Sequence, residues 1–457
     1  MLLRFAVGNF LSFKEVAEYK MAAGKATRHD SHVAKVGNGK RILKGGFIFG
    51  ANASGKSNFI RAMEFAQKSI LDSVSLGKCY KKHFRIDDDY KNKPGVFQFD
   101  ILADGQFYSY GFSVSYTNAE VEEEWLFCIN DSEKRIFERG RDKDGKMKIV
   151  SDIIFENTEE KTTFEVYSKA IDKGEMKRKM FLLDIAMRSD SDAECYKPFR
   201  DVVMWFENLR VIYPTSKYTG IHSFISDDDK RLTLSNLLNY FDTGIESVSR
   251  IKKSFEMVFK DMPEEAKISK KEKFLEKLQG QNSEITVSYA GMYYEVRLED
   301  DELIVLEVVS DHGNSEDLFE YGDESDGTRR LFDLLPIFRR ARLGCVIVID
   351  ELDRSLHTKV TVEFIKRFYK EVQGCNSQLI ATTHDSNILD LDLLRQDEIW
   401  LVERMDDHSS ALRPLSYYKP RFDKDVEKDY LIGRYGAVPI FNRLASLDDE
   451  GGAQDAR

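Results

Sequence analysis

The chain has 457 residues, of which 42% are hydrophobic and 32% charged, and its net charge is −11. That length allows two or three domains and a large core, and the acidic balance excludes a uniformly basic nucleic-acid binder. Five cysteines without C-x-x-C spacing argue against a zinc site or a disulfide framework, and no 18-residue apolar run offers a membrane span.

In chain order, Met1-Leu2-Leu3-Arg4-Phe5-Ala6-Val7 is too short and interrupted for a signal peptide and reads as a first strand. With reducing-type cysteine usage, a cytoplasmic location is expected. Phe47-Ile48-Phe49 reads as a short buried strand. Gly50-Ala51-Asn52-Ala53-Ser54-Gly55-Lys56-Ser57 follows and matches G-x-x-x-x-G-K-[ST]. Apolar residues then recur at Ile60, Met63, Ala66 and Ile70, which is helical spacing. Strand, glycine-rich loop and helix together point to a phosphate site. Gly50 and Gly55 let backbone N–H groups turn toward phosphate oxygens. The helix start favours an anion. Lys56 would reach the β- and γ-phosphates of a nucleoside triphosphate, and Ser57 would ligate Mg²⁺.

Strands are expected at 96–102 and 106–115, flanking the Asp104-Gly105 turn, and Asp144-Gly145 marks a second turn. From 159 to 277 the chain becomes dense in Lys and Glu and reads as helical, with helices near 175–187 and 232–241. The charged segment 267–278 reads as a solvated helix face. Strands return at 284–298 and 303–310.

Glu324-Ser325-Asp326-Gly327 opens an amphipathic helix on Leu331, Leu334, Leu335 and Phe338. Ser325 fits an N-cap there, and the small-residue helix start is a second place where an anion could sit. The neighbouring acids Asp323, Glu324 and Asp326 fit poorly beside a phosphate. Cys345 to Ile349 reads as a buried strand ending in Asp350-Glu351. A strand end of this kind puts Asp350 where it can hold Mg²⁺ and Glu351 where it can polarise water. A helix near 360–372 and a strand at 378–382 lead to His384, placed to sense the γ-phosphate, and a strand follows at 399–402. Alternating strands and helices imply a parallel sheet. The acidic, glycine-bearing tail from Leu447 onward is expected to be disordered.

Taken together, the Walker A run, Ser-x-Gly before Walker B, Asp350-Glu351 followed by Leu352-Asp353-Arg354-Ser355-Leu356-His357, and His384 resemble an ABC-type ATPase. The likeness is to the SMC-like and OLD-like branch. The wording through Asn58 and the N-terminal Asn9-Phe10-Leu11-Ser12-Phe13 carry it, and Tyr430 to Pro439 resembles the ending of "AAA family" ATPases of abortive-infection systems. The fold implied is α/β, an ABC-ATPase head (a mixed sheet with a P-loop core) with a helical insertion. Its parts would be an N-terminal lobe at 1–159, the insertion at 160–284, a C-terminal lobe at 285–446 and the tail at 447–457.

The resemblance implies ATP and Mg²⁺ as cofactors. It makes Gly50, Asn52, Ser54, Gly55, Lys56, Ser57 and Asn58 nucleotide-binding, Ser325 and Gly327 the signature, Asp353 the D-loop aspartate, and Glu351 and His384 catalytic. Ser57 and Asp350 would hold the metal, with Gln98 as the Q-loop candidate. It also implies a head-to-tail dimer or higher homo-oligomer in which one copy's signature meets ATP held by another. The function expected is a sensor or scaffold for a separately encoded toxin or nuclease, of TOPRIM type, in anti-phage defence of the PARIS or abortive-infection kind, with a phage protein as trigger. Only 73 residues follow His384, too few for a nuclease module of ordinary size. Asp390-Leu391-Asp392 is read as a structural turn. The alternative is an SMC-like DNA-handling ATPase; its best basic cluster is Lys267, Lys270, Lys271 and Lys273, and no long coiled coil is present. No membrane partner is expected.

Overall fold

The computed structural model describes residues 1–37, 39–72, 76–77, 79–130, 132–188, 193–215, 227–278, 284–289, 292–419 and 426–438. The tail from Leu447 and Pro439 of the C-terminal motif lie outside the described residues. The architecture is α/β with several sheets.

The central sheet runs Leu209–Ile212, Val346–Ile349, Gln378–Thr382, Gly45–Phe49, Ile399–Arg404, Ser410–Pro414. All neighbours are parallel except the last pair. Its inner strands are apolar on both faces, as a sheet covered on both sides requires. Ile48, Val346, Val348, Ile380, Trp400 and Val402 face one core, shared with Phe59, Ile60 and Met63 of the helix Lys56–Leu71. Phe47, Phe49, Ile347, Ile349, Leu379 and Leu401 face the other, against the helices Asp326–Leu334 and Thr358–Glu371. Each fully buried large side chain contributes about 1.5–3 kcal/mol by leaving water.

A seven-stranded antiparallel sheet covers the far side of the helix Lys56–Leu71. It places Leu2–Gly8 between Ala17–Lys20 and Gly95–Ala103, and continues through Gln106–Ser115, Glu120–Ile129, Glu133–Arg141 and Met147–Val150. Period-two alternation sends Phe97, Phe99 and Ile101 inward. Helices from the following segment dock on this layer through a buried carboxylate. Glu124 accepts N–H groups from Phe181 and Leu182 at 2.8 and 2.9 Å, at the start of the helix Phe181–Arg188. Arg139, 3.6 Å away and fully buried, donates to Lys179 O. Burial raises the Glu124 carboxyl and lowers the Arg139 guanidinium.

The stretch 160–284 is not helical throughout. It holds the helices Lys197–Asn208, Asp228–Tyr240 and Glu264–Leu278. It also supplies Leu209–Ile212, the edge strand beside Val346–Ile349, and Ser247–Ser254, which pairs with Glu302–Asp311. Neither strand shows as an apolar run: the first has four residues, and the second has only Val248 and Ile251 among polar ones. The single strand expected at 284–298 is a pair, Glu284–Tyr289 and Met292–Glu299, antiparallel to each other.

Candidate functional site

The strands Gly45–Phe49, Val346–Ile349 and Gln378–Thr382 end together, so the residues that follow them share one edge of the sheet. Two glycines let the loop after Phe49 pack tightly. A Cβ on Gly50 would lie 2.5 Å from Val402 O and 2.8 Å from Ser54 Oγ. Gly55 has φ 114°, and a Cβ there would collide with Ser410 Oγ and stand 2.8 Å from Ser12 Oγ. Gly55 is also the N-cap of Lys56–Leu71, and no side chain caps it. The first-turn N–H groups are therefore left for a ligand.

Lys56 Nζ donates to Gly50 O at 2.6 Å and Ala51 O at 3.0 Å, and lies 3.2 Å from His384 Nδ1. Burial lowers its pKa to about 8, against the opposing pull of Asp350, Asp353 and Glu351. Ser57 Oγ donates to Asp350 Oδ1 at 3.1 Å. The same Oδ1 accepts from Thr382 Oγ1 at 2.6 Å, and Thr382 Oγ1 accepts from Glu351 N at 2.8 Å. Thr382 thus fixes both carboxylate positions.

Glu351 takes a left-handed backbone, φ 50°. One of its oxygens is 3.9 Å from His384 Nε2 and the other 3.5 Å from Arg354 Nη1. Asp353 accepts His384 N–H at 3.2 and 3.3 Å with its two oxygens, pinning the histidine backbone. Burial, then Lys56, lowers the His384 pKa. Asn52 is exposed. Ser54 Oγ is buried without a hydrogen bond among the described residues. Asn58 Nδ2 donates to Ser12 Oγ at 2.9 Å.

Ser57 Oγ and Asp350 Oδ1 form a pair of hard oxygen donors beside the uncapped helix. That fits Mg²⁺, which is commonly held by one or two protein oxygens plus phosphates. Among the described residues no group of three or more His, Cys, Asp or Glu could hold a metal ion.

Ser325 is exposed and caps Asp326–Leu334, accepting Thr328 N–H at 3.1 Å. A Cβ on Gly327 would lie 2.9 Å from Ser355 O, so the glycine lets the turn after Glu351 approach this helix. The acids around Ser325 all have partners. Glu324 is buried against Ser310 and His312, Asp326 pairs with Arg329, and Asp323 accepts Glu320 N–H.

Gln98 does not join the cluster. Its Nε2 donates to Ser109 Oγ at 2.9 Å on the sheet face opposite Phe97 and Phe99, which pack toward the P-loop helix. Strand alternation accounts for this: neighbours of inward residues point outward.

Sequence reasoning missed Arg330. It is buried and donates to Tyr213 O, Asp350 O and Glu351 O at 3.3, 3.4 and 3.2 Å, tying the helix begun by Ser325 to the turn bearing both carboxylates. The one available signal was its place four residues before Leu334 on a buried stripe.

Residues 47–390 match the family model described as "AAA domain, putative AbiEii toxin, Type IV TA system". A comparison with the curated proteins found no match. Among solved structures, an SMC head bound to the C-winged helix domain of ScpA is 14% identical, with 90% of this chain and 96% of that one covered, at a TM-score of 0.40. The SMC head domain from Thermotoga maritima is 13% identical, with 90% and 98% covered, at 0.38.

Proposed function

The chain belongs to this family of AAA domains, whose model covers more than half of it, and from that premise we propose that it binds and hydrolyses ATP with Mg²⁺ at the Lys56–Asp350–His384 cluster. The observation that carries this reading is the convergence of Lys56, Ser57, Asp350, Glu351 and His384 on one sheet edge beside an uncapped helix. Lys56 holds the phosphates and Ser57 and Asp350 hold the metal, which when bound offsets charge on the transferring phosphoryl group. Glu351 orients and accepts a proton from the attacking water. His384, whose pKa is lowered by burial and by Lys56, reads the γ-phosphate. Ser325 and Gly327, on an exposed helix start, complete the site of a second copy, and Asp353 supports His384 from the turn that follows Glu351.

At the level of the system, the chain serves as an ATP-gated scaffold for a separately encoded toxin or nuclease in anti-phage defence. The toxin–antitoxin wording of the family description supports this. Of the basic cluster that the DNA-handling alternative needs, Lys267 pairs with Glu264, and Lys270 lies over the rings of Phe259 and Tyr289. Among the described residues no helix is long and apolar enough to cross a membrane, and a cytoplasmic setting is the proposed one. The test is to purify Glu351→Gln protein from its own host with ATP present. A stoichiometric, separately encoded toxin-like protein, lost with Lys56→Ala, is expected. ATP-dependent retention of DNA with no protein partner would overturn the defence reading.

The lowered pKa of Lys56 gives this site a pH signature. Phosphate binding favours the ammonium form, so the bound-state pKa lies above the free value of about 8. The Lys56 contribution to ATP affinity is then constant below pH 8. Above it, affinity weakens by about tenfold per unit until the bound-state pKa is reached. Calorimetry in buffers of differing ionisation enthalpy should show proton uptake rising from near zero at pH 7 toward one at pH 9, and its absence in Lys56→Arg.

A further inference from the structure

A cavity of about 400 Å³ lies at the other end of the P-loop strand and is lined by His29, Ser31, His32, Lys366, Lys370 and Gln373. Its inner wall touches Gly45, the first residue of that strand: a Cβ there would collide with Tyr369 Oη and lie 3.2 Å from Glu398 Oε1. Five residues of strand, about 16 Å at 3.3 Å each, separate it from Gly50.

The wall is built around one buried carboxylate. Glu398 is 0% exposed, and its Oε1 accepts from Tyr369 Oη at 2.8 Å. Its Oε2 accepts from Arg395 N at 2.8 Å and lies 3.1 Å from His32 Nδ1. The His32 ring, 6% exposed, is stacked on Tyr369 with centroids 3.4 Å apart, and His29 stacks on His32 in turn at 4.9 Å. With Nδ1 held by Glu398, the other nitrogen of His32 has no hydrogen bond among the described residues.

The charge of the mouth is unbalanced. Lys366 and Lys370 are exposed and stand four residues apart on the helix Thr358–Glu371, a spacing at which like charges repel. Neither has an ion pair among the described residues, whereas Arg367 between them pairs with Glu371 at 2.5 Å. Among the described lining residues the acid is Asp392, which is ion-paired with Arg28. In a chain of net charge −11, this is a local excess of cations around a buried, oriented imidazole.

We propose that this cavity is a second anion site that takes a phosphate group: Lys366 and Lys370 supply charge, and the His32 ring, oriented by Glu398, offers Nε2 as a hydrogen-bonding partner to the bound group. The site is separate from the P-loop and stands whether or not the hydrolytic reading does. The probe is inorganic phosphate, titrated into full-length Lys56→Ala protein so that the P-loop is silenced. Saturable binding of one phosphate per chain is expected. Adding Lys366→Ala and Lys370→Ala, both surface changes, should raise Kd at least roughly tenfold with the melting temperature unmoved. AMP that displaces phosphate would mark the ligand as a phosphate ester, and AMP that fails to do so would mark it as free phosphate. No saturable binding to the Lys56→Ala protein, or equal affinity in the lysine double variant, would overturn the site.

Discussion

Lys56→Ala abolishes ATP binding and, with it, ATP-dependent association of two copies. The Nζ of Lys56 is the one cation held inside the loop, between two loop carbonyls and the His384 ring. Charge-assisted bonds to phosphate are about twice as strong as neutral ones, and in the proposed site two phosphates would share this cation. A loss of at least roughly 100-fold in affinity, about 2.7 kcal/mol, is expected. The folded apo protein should be little affected. Burial already opposes the charge on Lys56, which is why its pKa falls to about 8, so removing it relieves a desolvation cost while freeing Gly50 O and Ala51 O. A melting temperature within a few degrees of the parent separates lost binding from lost folding. A fluorescent ATP analogue reads the affinity and light scattering reads association. Unchanged affinity would remove the phosphate role from this loop.

The parts of the site that could be read from the sequence are those whose chemistry is continuous along the chain. Gly50 to Ser57 is one loop between one strand and one helix, and Gly55 is needed for a local reason, a φ of 114°. Asp350, Glu351 and His384 were legible because each ends an apolar run, and runs ending at one sheet edge bring their polar ends together. What stayed hidden depends on distant segments meeting. Thr382 bridges Asp350 and the Glu351 amide, and Arg330 clasps both carbonyls, through contacts between three separate stretches. Nothing in the local wording of either residue announces that.

The fold divides in the same way. Gly45–Phe49, Val346–Ile349 and Gln378–Thr382 are buried on both faces and show as apolar runs at Phe47 to Phe49, Val346 to Ile349 and Leu379 to Ala381. Leu209–Ile212 does not, because its edge position relaxes the demand for apolar residues, so a core strand was read as part of a helical stretch. Gln98 was misplaced for a reason the sequence did contain. Phe97, Phe99 and Ile101 alternate with it, and a strand that sends those inward sends Gln98 out.

Glu351→Gln slows hydrolysis by about 10²–10⁴-fold while leaving ATP affinity near that of the parent. The amide keeps the shape and the hydrogen-bond reach of the carboxylate but cannot take a proton from water. Its other losses are small. The contact with Arg354 is 3.5 Å long and both side chains are solvent-accessible, so it contributes at most about 1 kcal/mol to stability. The left-handed φ of 50° at this position is a backbone property that Gln tolerates as Glu does. Binding therefore survives where turnover fails, and the closed, ATP-bound association accumulates because its exit by hydrolysis is blocked. Single-turnover phosphate release should fall while light scattering shows a larger associated fraction with ATP than the parent gives. The contrast with Lys56→Ala is the discriminating result: one variant never closes, the other does not reopen. If Glu351→Gln instead turns over at the parent rate, the proton acceptor is a group other than Glu351.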